Sequence, residues 1–321
     1  MIKNLEIRNF KSIKHLELEC KRVNIFIGEP NTGKSNILEA VGIFSLPHQG
    51  GLEGFVRFES MSNLFYDENL EDRIWIKADE LVLKIEFKDW KFYGTCHDKE
   101  KRFFSFDYDH TGSGSSTCSI APSAFKFYRF AVRNKFPGKE SGFLLPPSGE
   151  NLLAVLMTHK ELKSTVSQIF APFGLRLVFK PQEDKIEVLK QFEDVLISFP
   201  YSLASETLQR IIFYLTAVNS NKNSILVFEE PEAHAFPYYT KFIAEKIALD
   251  KNNNQYFIST HNPYFLLSIL EKSPRDDINI FITYFEDYRT KVKLLTKSDL
   301  EEIMKMGIDV FFNMERFLGD G

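Results

Sequence analysis

The feature that most constrains this chain is a glycine-rich segment between an apolar strand pattern and a helix pattern. Residues 28–35 read GEPNTGKS and fit G-x-x-x-x-G-K-[ST]. The apolar run VNIFI, residues 23–27, precedes the segment, and residues 33–46 place apolar side chains at helical spacing. Glycines at such a turn let backbone N–H groups converge on phosphate oxygens. The spacing therefore predicts a phosphate-binding loop, with an ordinary glycine-rich turn as the alternative.

The residues of this loop have expected roles in binding ATP. Lys34 is expected to reach the β- and γ-phosphates, and the hydroxyl of Ser35 is expected to coordinate Mg²⁺. The predicted ATP-binding residues of the segment are Gly28, Glu29, Pro30, Asn31, Thr32, Gly33, Lys34, Ser35 and Asn36. ATP and Mg²⁺ are therefore the predicted ligands.

A second apolar run ends in two acids. In SILVFEEP, four apolar residues at 225–228 precede Glu229 and Glu230. This is the Walker B arrangement, in which the first acid organises Mg²⁺ and the second orients or deprotonates water. Glu229 is one methylene longer than the more common Asp, and a water molecule can fill the gap to the metal. A solvated acidic turn after a strand is the alternative.

A third strand pattern, NQYFIST, ends immediately before His261. Parallel strands present their carboxyl ends at one edge of a sheet, so His261 is expected near Lys34 and Glu230. There the imidazole can contact the γ-phosphate and report its presence. The alternative is a structural or merely exposed histidine. The predicted catalytic residues are Lys34, Glu230 and His261.

Residues 201–218, YSLASETLQRIIFYLTAV, predict a helix with an apolar stripe. Ser202 or Ser205 can cap this helix, and capping is sufficient to explain both serines. The functional alternative is that the helix N-terminus binds the γ-phosphate held by a second protomer.

The composition disfavours several classes of protein. The 3 cysteines form no C-x-x-C pair, so neither a disulfide scaffold nor a zinc ribbon is expected, and reduced thiols suit the cytoplasm. No apolar run reaches the roughly 18 residues of a membrane span, and the N-terminus lacks the apolar stretch of a signal peptide. A net charge of −4 disfavours an extensive basic coat for nucleic acid but is compatible with a local basic patch.

The strand and helix patterns predict an α/β fold. Alternation at 2–8 and 15–20 predicts antiparallel strands, and strands alternating with helices from about 203 to 284 predict a parallel sheet. The segment between these parts is expected to be β-rich, with one helix at 151–173 and a loop or hairpin tip at 111–119. Its predicted strands are 74–87, 92–98, 102–109, 175–180, 185–190 and 194–199.

The four motifs, in this order, resemble the ABC-type ATPases of the RecF, SMC and OLD group. The opening strand–NFKSI–strand unit is similar to the segment before the phosphate loop in that group, with matches at Asn9, Phe10, Lys11 and Ser12. EEPEAH at 229–234 and STHNP at 259–263 are similar to the OLD-like branch. The resemblance implies a P-loop NTPase whose ABC-type head comprises 1–45 and 200–321, with antiparallel N-terminal strands and a β-rich insertion over 46–199. It also implies that Lys11 and Ser12 lie near the nucleotide.

The same resemblance implies a homodimer with ATP held between the two copies. One protomer is expected to contribute residues 28–35, Glu229, Glu230 and His261. Its partner is expected to contribute the trans signature Ser205, Glu206 and Thr207. Glu206 replaces the usual glycine, and an extra carboxylate near a γ-phosphate is unfavourable unless it is paired. No residue matches the usual Mg²⁺-sensing glutamine, for which residues 60–69 are the candidate region.

Two parts of the related proteins are not expected here. One is the long coiled coil of the SMC branch. The other is the C-terminal Toprim nuclease of the OLD proteins, since too few residues follow His261 to form it. A nuclease or other effector would then be a separate chain.

The expected function is an ATP-binding and ATP-hydrolysing switch whose dimerisation controls a partner effector or DNA, in phage defence or DNA repair. One alternative is a RecF-like DNA-binding clamp, with basic–aromatic stretches at 99–104 and 125–139. Strands with buried aromatic side chains explain both stretches without DNA. A second alternative is a nucleotide-binding scaffold with little hydrolysis. No membrane partner is expected, and the expected location is cytoplasmic.

Overall fold

The computed structural model describes residues 1–118, 124–306 and 310–319, which form three β-sheets and eight α-helices. The first sheet has seven antiparallel strands in the order β2-β1-β4-β5-β6-β7-β8. Their bounds are β1 Asn4–Phe10, β2 Ile13–Glu19, β4 Ile74–Ala78, β5 Leu81–Lys88, β6 Lys91–His97, β7 Arg102–Tyr108 and β8 Gly114–Cys118. Alternate side chains of β1, including Leu5 and Ile7, are buried, as the alternating sequence requires of a half-buried strand.

The second sheet carries the phosphate loop. Its order is β16-β15-β3-β14-β13-β9, in which only the edge strand β16 runs antiparallel to its neighbour. The bounds are β3 Val23–Gly28, β9 Phe125–Tyr128, β13 Ile225–Glu229, β14 Gln255–Ser259, β15 Ile278–Glu286 and β16 Arg289–Leu294. Parallel strands with both faces covered have continuous apolar sequences, as VNIFI and ILVF do.

The helices connect and cover these strands. Their bounds are α1 Lys34–Gly42, α2 Leu152–Thr158, α3 Lys160–Phe170, α4 Glu206–Ser220, α5 Pro237–Ala248, α6 Pro263–Lys272, α7 Lys297–Met306 and α8 Met314–Leu318. Proline at the first position starts α5 and α6. The Asn262 side chain also caps α6 by accepting from the N–H groups of Tyr264 and Phe265.

A third, three-stranded antiparallel sheet lies between α3 and α4 in the chain. Its strands are β10 Leu175–Lys180, β11 Lys185–Phe192 and β12 Val195–Pro200. Ile186 and Val188 of β11 are buried in the same core as α3 and α4. Most of β12 is exposed, including the apolar side chains of Val195, Leu196 and Ile197.

The two faces of β3 belong to two different hydrophobic cores. Ile25 and Ile27 pack in a core with α4, α5 and α6. Phe26, on the opposite face, packs with α1 and the first sheet. The parallel sheet therefore separates the two cores and holds the end of β3 rigidly between them.

The α/β fold expected from the sequence is confirmed, and the elements predicted between 203 and 284 form with small shifts at their ends. The predicted helix over 151–173 is instead two helices, because His159 adopts an extended backbone with φ −99° and ψ 95°. The strand predicted over 74–87 turns at Asp79, whose φ is 51°. Residues 114–118 of the predicted loop form β8, whose small side chains gave no strand pattern, and Ser119 lies outside the described residues.

The strand Phe125–Tyr128 pairs in parallel with β13 and so belongs to the central sheet. It comes from the segment 46–199, and its aromatic side chains Phe125, Phe127 and Tyr128 are all buried. The division of the chain at residues 45 and 200 stays a prediction.

Candidate nucleotide-binding site

The phosphate loop, residues 28–35, connects β3 to α1 at the carboxyl end of the parallel sheet. Gly33 has φ 95°, and a Cβ added there would lie 1.9 Å from Thr290 Oγ1. A Cβ at Gly28 would lie 2.3 Å from the carbonyl oxygen of Thr283. Gly33 is therefore required both for its backbone conformation and for space. Gly28 has no room for a side chain, because the backbone of Thr283 lies against the loop.

Two threonines of the β15–β16 hairpin brace this loop. Thr283 Oγ1 lies 2.8 Å from Thr32 Oγ1, and Thr290 Oγ1 donates to the Thr32 carbonyl at 3.0 Å. Thr290 Oγ1 also lies 2.7 Å from Ser12 Oγ, and Ser12 Oγ accepts a hydrogen bond from Asn36 Nδ2 at 2.6 Å. The opening strand pair, the loop and the hairpin therefore form one hydrogen-bonded unit.

Lys34 points back along its own loop. Its Nζ donates to the carbonyl oxygens of Gly28 and Glu29 at 2.8 and 2.7 Å. Burial lowers the pKa of Lys34 to about 8, against the opposing effects of Glu230 and Glu29. Of the remaining predicted loop residues, Glu29, Pro30 and Asn31 are exposed and Thr32 is buried.

Glu229, the last residue of β13, contacts Ser35 and two arginines. Arg129 Nη2 lies 2.7 Å from one carboxylate oxygen, and Arg57 Nη2 lies 3.4 Å from the other. Burial by itself raises the pKa of Glu229, but the Ser35 hydroxyl and the two guanidinium groups outweigh burial and lower it. The carboxylate is therefore ionised at neutral pH and lies beside the Ser35 hydroxyl.

Glu230 starts the turn after β13 with a left-handed backbone, φ 44°. Its N–H donates to the Ser259 carbonyl at 3.1 Å, and its Oε1 lies 3.6 Å from His261 Nε2. Burial and the Lys34 charge lower the pKa of His261, and the opposing effect of Glu230 is smaller. The imidazole is therefore neutral at pH 7. Lys34, Glu230 and His261 lie close enough to affect one another's charge, so these three residues are brought together.

A buried carboxyl that the sequence analysis missed lies next to this turn. Glu232 is 4% exposed and accepts a hydrogen bond from Thr260 Oγ1, which in turn accepts from the N–H of Asn262 at 3.0 Å. Burial raises the pKa of Glu232 to about 7. Glu232 therefore positions the segment that carries His261. Its signal in the sequence was its place inside EEPEAH, two residues after Glu230.

A second group surrounds Glu39, which the sequence analysis missed and which is fully buried on α1. Lys11 Nζ donates to its Oε2, Arg57 Nε lies 2.7 Å from its Oε1, and Arg129 Nη2 lies 3.8 Å from the same oxygen. Burial lowers the pKa of Lys11, against the raising effect of Glu39. We refer to Glu39, Lys11, Arg57 and Arg129 as the Glu39 cluster. It links the opening strand pair to Glu229.

The position of Arg129 follows from the sheet order. Arg129 comes directly after β9, as Glu230 comes directly after β13, and these two strands are parallel neighbours. Both side chains therefore lie at the same edge. Recognising FKFY at 125–128 as a strand of the parallel sheet would have predicted Arg129 at the site.

Residues 205–207 lie apart from the loop of the same chain. Ser205 is exposed and occupies the N-cap position of α4, but its side chain makes no capping hydrogen bond. Thr207 Oγ1 donates to the His234 carbonyl at 2.8 Å, and Glu206 pairs with Arg210 at 3.0 Å. Across the described parts of the chain, no hydrogen bond or ion pair joins 205–207 to 28–35.

The loop between strand and helix, the acids after β13 and the sheet order define a P-loop nucleotide-binding protein with an ABC-type fold. The sequence matches the AAA ATPase domain family over residues 1–170 and 196–266, and the chain belongs to that family. It is an ATPase.

Solved structures share this fold. An Smc head bound to the C-winged helix domain of ScpA is 15% identical, with a TM-score of 0.54 over 94% of this chain and 99% of that one. An Smc head with an extended coiled coil, bound to the C-terminal domain of ScpA derived from Pyrococcus furiosus, is 16% identical, with a TM-score of 0.51 over 95% and 98%. The likeness confirms the expected SMC- and RecF-like head fold.

One curated relative also matches. It is an uncharacterized protein of Methanocaldococcus jannaschii, MJECL10, which is 32% identical over 97 residues, or 29% of this chain. The chain spans 44% of the length of that relative. None of the helices within the described residues is long and apolar enough to cross a membrane.

Proposed function

We propose that two copies of this chain close around ATP and Mg²⁺, and that hydrolysis lets them reopen, so that the closed state is read by a partner. One observation carries this proposal. Lys34, Glu230 and His261 lie close together at the carboxyl end of the parallel sheet, where the phosphate loop leads into α1. A phosphate group on that loop would face a cation, a carboxylate and a neutral imidazole, which are the groups needed to bind it and to activate water.

Ser35 and Glu229 are the proposed metal ligands. Their side chains already contact each other, so two oxygen donors of the kind that Mg²⁺ prefers lie side by side. Arg129 and Arg57 keep Glu229 ionised and fix its direction. Bound Mg²⁺ supplies neutralisation of phosphate charge.

The proposal assigns phosphate binding and water activation to three side chains. Lys34 exchanges its two carbonyl contacts for phosphate oxygens, with its charge favoured by Glu230. Glu230 accepts a proton from the attacking water, and its turn conformation holds it at the strand end. His261 hydrogen-bonds the γ-phosphate as a neutral group, in a segment positioned by Glu232. Lys11 holds the opening strands against α1 through Glu39, and Ser12 contacts Asn36 of α1 and Thr290 of the hairpin.

The exposed surface beside Ser205 supports a second copy as the partner in the closed state. A cavity of about 530 Å³ lies there between the starts of α4 and α5, next to Phe236 and Tyr238, whose side chains are mostly exposed. The Ser205 hydroxyl is not used as a cap, so it is available to a phosphate held by the other copy. Arg210 neutralises Glu206, which removes the repulsion expected from a carboxylate at this position.

Steady-state ATP hydrolysis tests the catalytic assignment. We expect Lys34→Ala to lose ATP binding, and Glu230→Gln to keep binding but lose turnover by about 10²–10⁴-fold, the usual contribution of a general base. Asp287→Asn, which changes an exposed carboxylate on the β15–β16 turn, serves as the control. Unchanged turnover in both Lys34→Ala and Glu230→Gln would show that the proposed site is wrong.

Light scattering with and without ATP tests dimerisation. Glu230→Gln is expected to accumulate as a dimer with ATP, because the closed state forms and is not hydrolysed. Adding Ser205→Ala or Phe236→Ser to that variant is expected to return it to a monomer. A Glu230→Gln protein that binds ATP but stays monomeric would contradict the dimer.

A separate effector chain is the proposed reader of the closed state. The two Smc head structures are bound to ScpA domains, which supports a protein partner for a head of this fold. Co-purification with and without ATP tests this proposal, and ATP-independent recovery of the same partners would argue against a switch. DNA is the less favoured partner, because the aromatic side chains of 125–128 are buried and cannot stack on bases.

A further inference from the structure

A cavity of about 860 Å³ lies at the amino-terminal end of the parallel sheet, and its size is within the range of small-molecule sites. Lys126 of β9 forms part of its wall and is in register with Leu226. Glu229 follows Leu226 by three residues on β13. Because a strand rises about 3.3 Å per residue, roughly 10 Å along the strand separate this level from the Glu229 level. The cavity is therefore separate from the phosphate loop.

Lys126 is a buried cation, and none of the described residues gives it a carboxylate partner. It is 7% exposed, and its Nζ donates to Asn221 Oδ1 at 2.5 Å and to Ser224 Oγ at 3.1 Å. The Nζ also lies 3.8 Å from the centre of the Phe143 ring. No ion pair joins Lys126 to any residue that the structure describes. A buried charge held only by neutral groups is costly, so a compensating anion would be favourable.

Other charges around the cavity are mostly positive. Lys160, Lys222 and Lys246 line it, together with a single carboxylate, Glu161. Lys246 is in the last turn of α5, where a cation stabilises the helix without any ligand. Lys160 is the opposite case, since it is the first residue of α3, where a cation faces the positive end of the helix. The His159 side chain at the N-cap of α3 makes no capping hydrogen bond.

We propose that this cavity binds a small phosphate-bearing molecule. Phosphate oxygens would accept from the free N–H groups at the start of α3 and pair with the ammonium groups of Lys126 and Lys160. Bound phosphate groups would thereby compensate the buried charge, the uncapped helix end and the cation beside it. Phe143 supplies an apolar wall for the remainder of the molecule. The volume of the cavity suits a small molecule better than a continuous nucleic-acid strand.

Calorimetric titration with pyrophosphate tests the proposal independently of ATP hydrolysis. The whole chain is used with Lys34→Ala in place, so that the phosphate loop does not compete for the probe. We expect saturable binding of one pyrophosphate, weakened at least tenfold by Lys160→Gln and by Lys126→Met. Lys241→Gln is the matched control, because Lys241 is on α5 like Lys246 but does not line the cavity. It is expected to leave the affinity unchanged.

Several outcomes would overturn the proposal. They are no saturable heat with pyrophosphate, equal affinity in Lys160→Gln and Lys241→Gln, or binding of an oligonucleotide without binding of pyrophosphate. Lys160 is exposed, so its variant keeps the test decisive even if Lys126→Met fails to fold. Circular dichroism of each variant establishes that it is folded.

Discussion

Replacing Glu39 with glutamine removes the negative charge from the Glu39 cluster and leaves the shape of the side chain intact. The Glu39 side chain is 0% exposed and contacts Lys11, Arg57 and Arg129. Removing one partner of a buried ion pair costs about 3–5 kcal/mol, because the remaining charge stays buried. The variant therefore tests whether a carboxylate inside the ATPase core is needed to hold these three cations, of which Arg57 and Arg129 also contact Glu229.

The expected loss lies at the lower end of that range. The Arg57 side chain is 56% exposed, so solvent stabilises part of its charge when Glu39 is neutral. Arg129 still has Glu229 as an ion-pair partner in the variant. Lys11 is the cation that loses most, since its side chain is 11% exposed and Glu39 is its only carboxylate partner in the described residues. We expect Glu39→Gln to lower the free energy of unfolding by about 3 kcal/mol.

Urea unfolding followed by circular dichroism measures this change. The denaturation midpoint should fall while the slope of the transition stays the same, which identifies a loss of stability without a change in unfolded compactness. Glu301→Gln on α7 is the control, because its pair with Lys305 is exposed and its removal should cost about 0.5 kcal/mol or less. A loss below about 1 kcal/mol for Glu39→Gln would refute the reasoning, since the cations would then need no buried partner.

Three further predictions concern the loop, pH and the start of α4. Gly33→Ala should weaken ATP binding in thermal-shift titrations, because the added Cβ would lie 1.9 Å from Thr290 Oγ1. Gly174→Ala is the control for backbone strain alone, because Gly174 also has a positive φ but has open space around it. Burial raises the pKa of Glu232 from 4.5 to about 7, so the folded state binds this proton more tightly and stability should fall as pH rises through that window. Urea midpoints at pH 5 and 7.5 should show a smaller fall for Glu232→Gln than for the parent chain. Thr207→Val removes the hydrogen bond to the His234 carbonyl and should lower turnover more than ATP affinity in steady-state assays; equal losses in both would contradict a role in the closed state.

The sequence predicted which candidate residues lie together after strand ends, and their catalytic roles stay predictions. Lys34, Glu230 and His261 each come after a continuous apolar run, and such runs give both the strand and the edge at which it ends. The trans contact of Ser205 stays a prediction, because it concerns a second chain.

The parts that the sequence did not predict depend on long-range pairing. Thr283 and Thr290 lie on a hairpin whose sequence gives no reason to place it against residues 28–35. Glu39 lies in an amphipathic helix, where a charged residue normally faces solvent, and only the packing of α1 shows that it is buried. Arg129 was missed because the strand before it is only four residues long and is separated from β13 by almost a hundred residues.

The contacts of Thr283 and Thr290 with the phosphate loop also determine when the nucleotide pocket can be completed during synthesis. The contacts of Thr32 with Thr283 and Thr290 span 251 and 258 residues. At about 5–20 residues per second, a ribosome adds that length in roughly 10–50 s. A growing chain therefore presents its glycine-rich loop long before the hairpin that packs against it exists. Until then the loop keeps the conformational freedom of its glycines, so the nucleotide pocket is among the last features of the head to be completed.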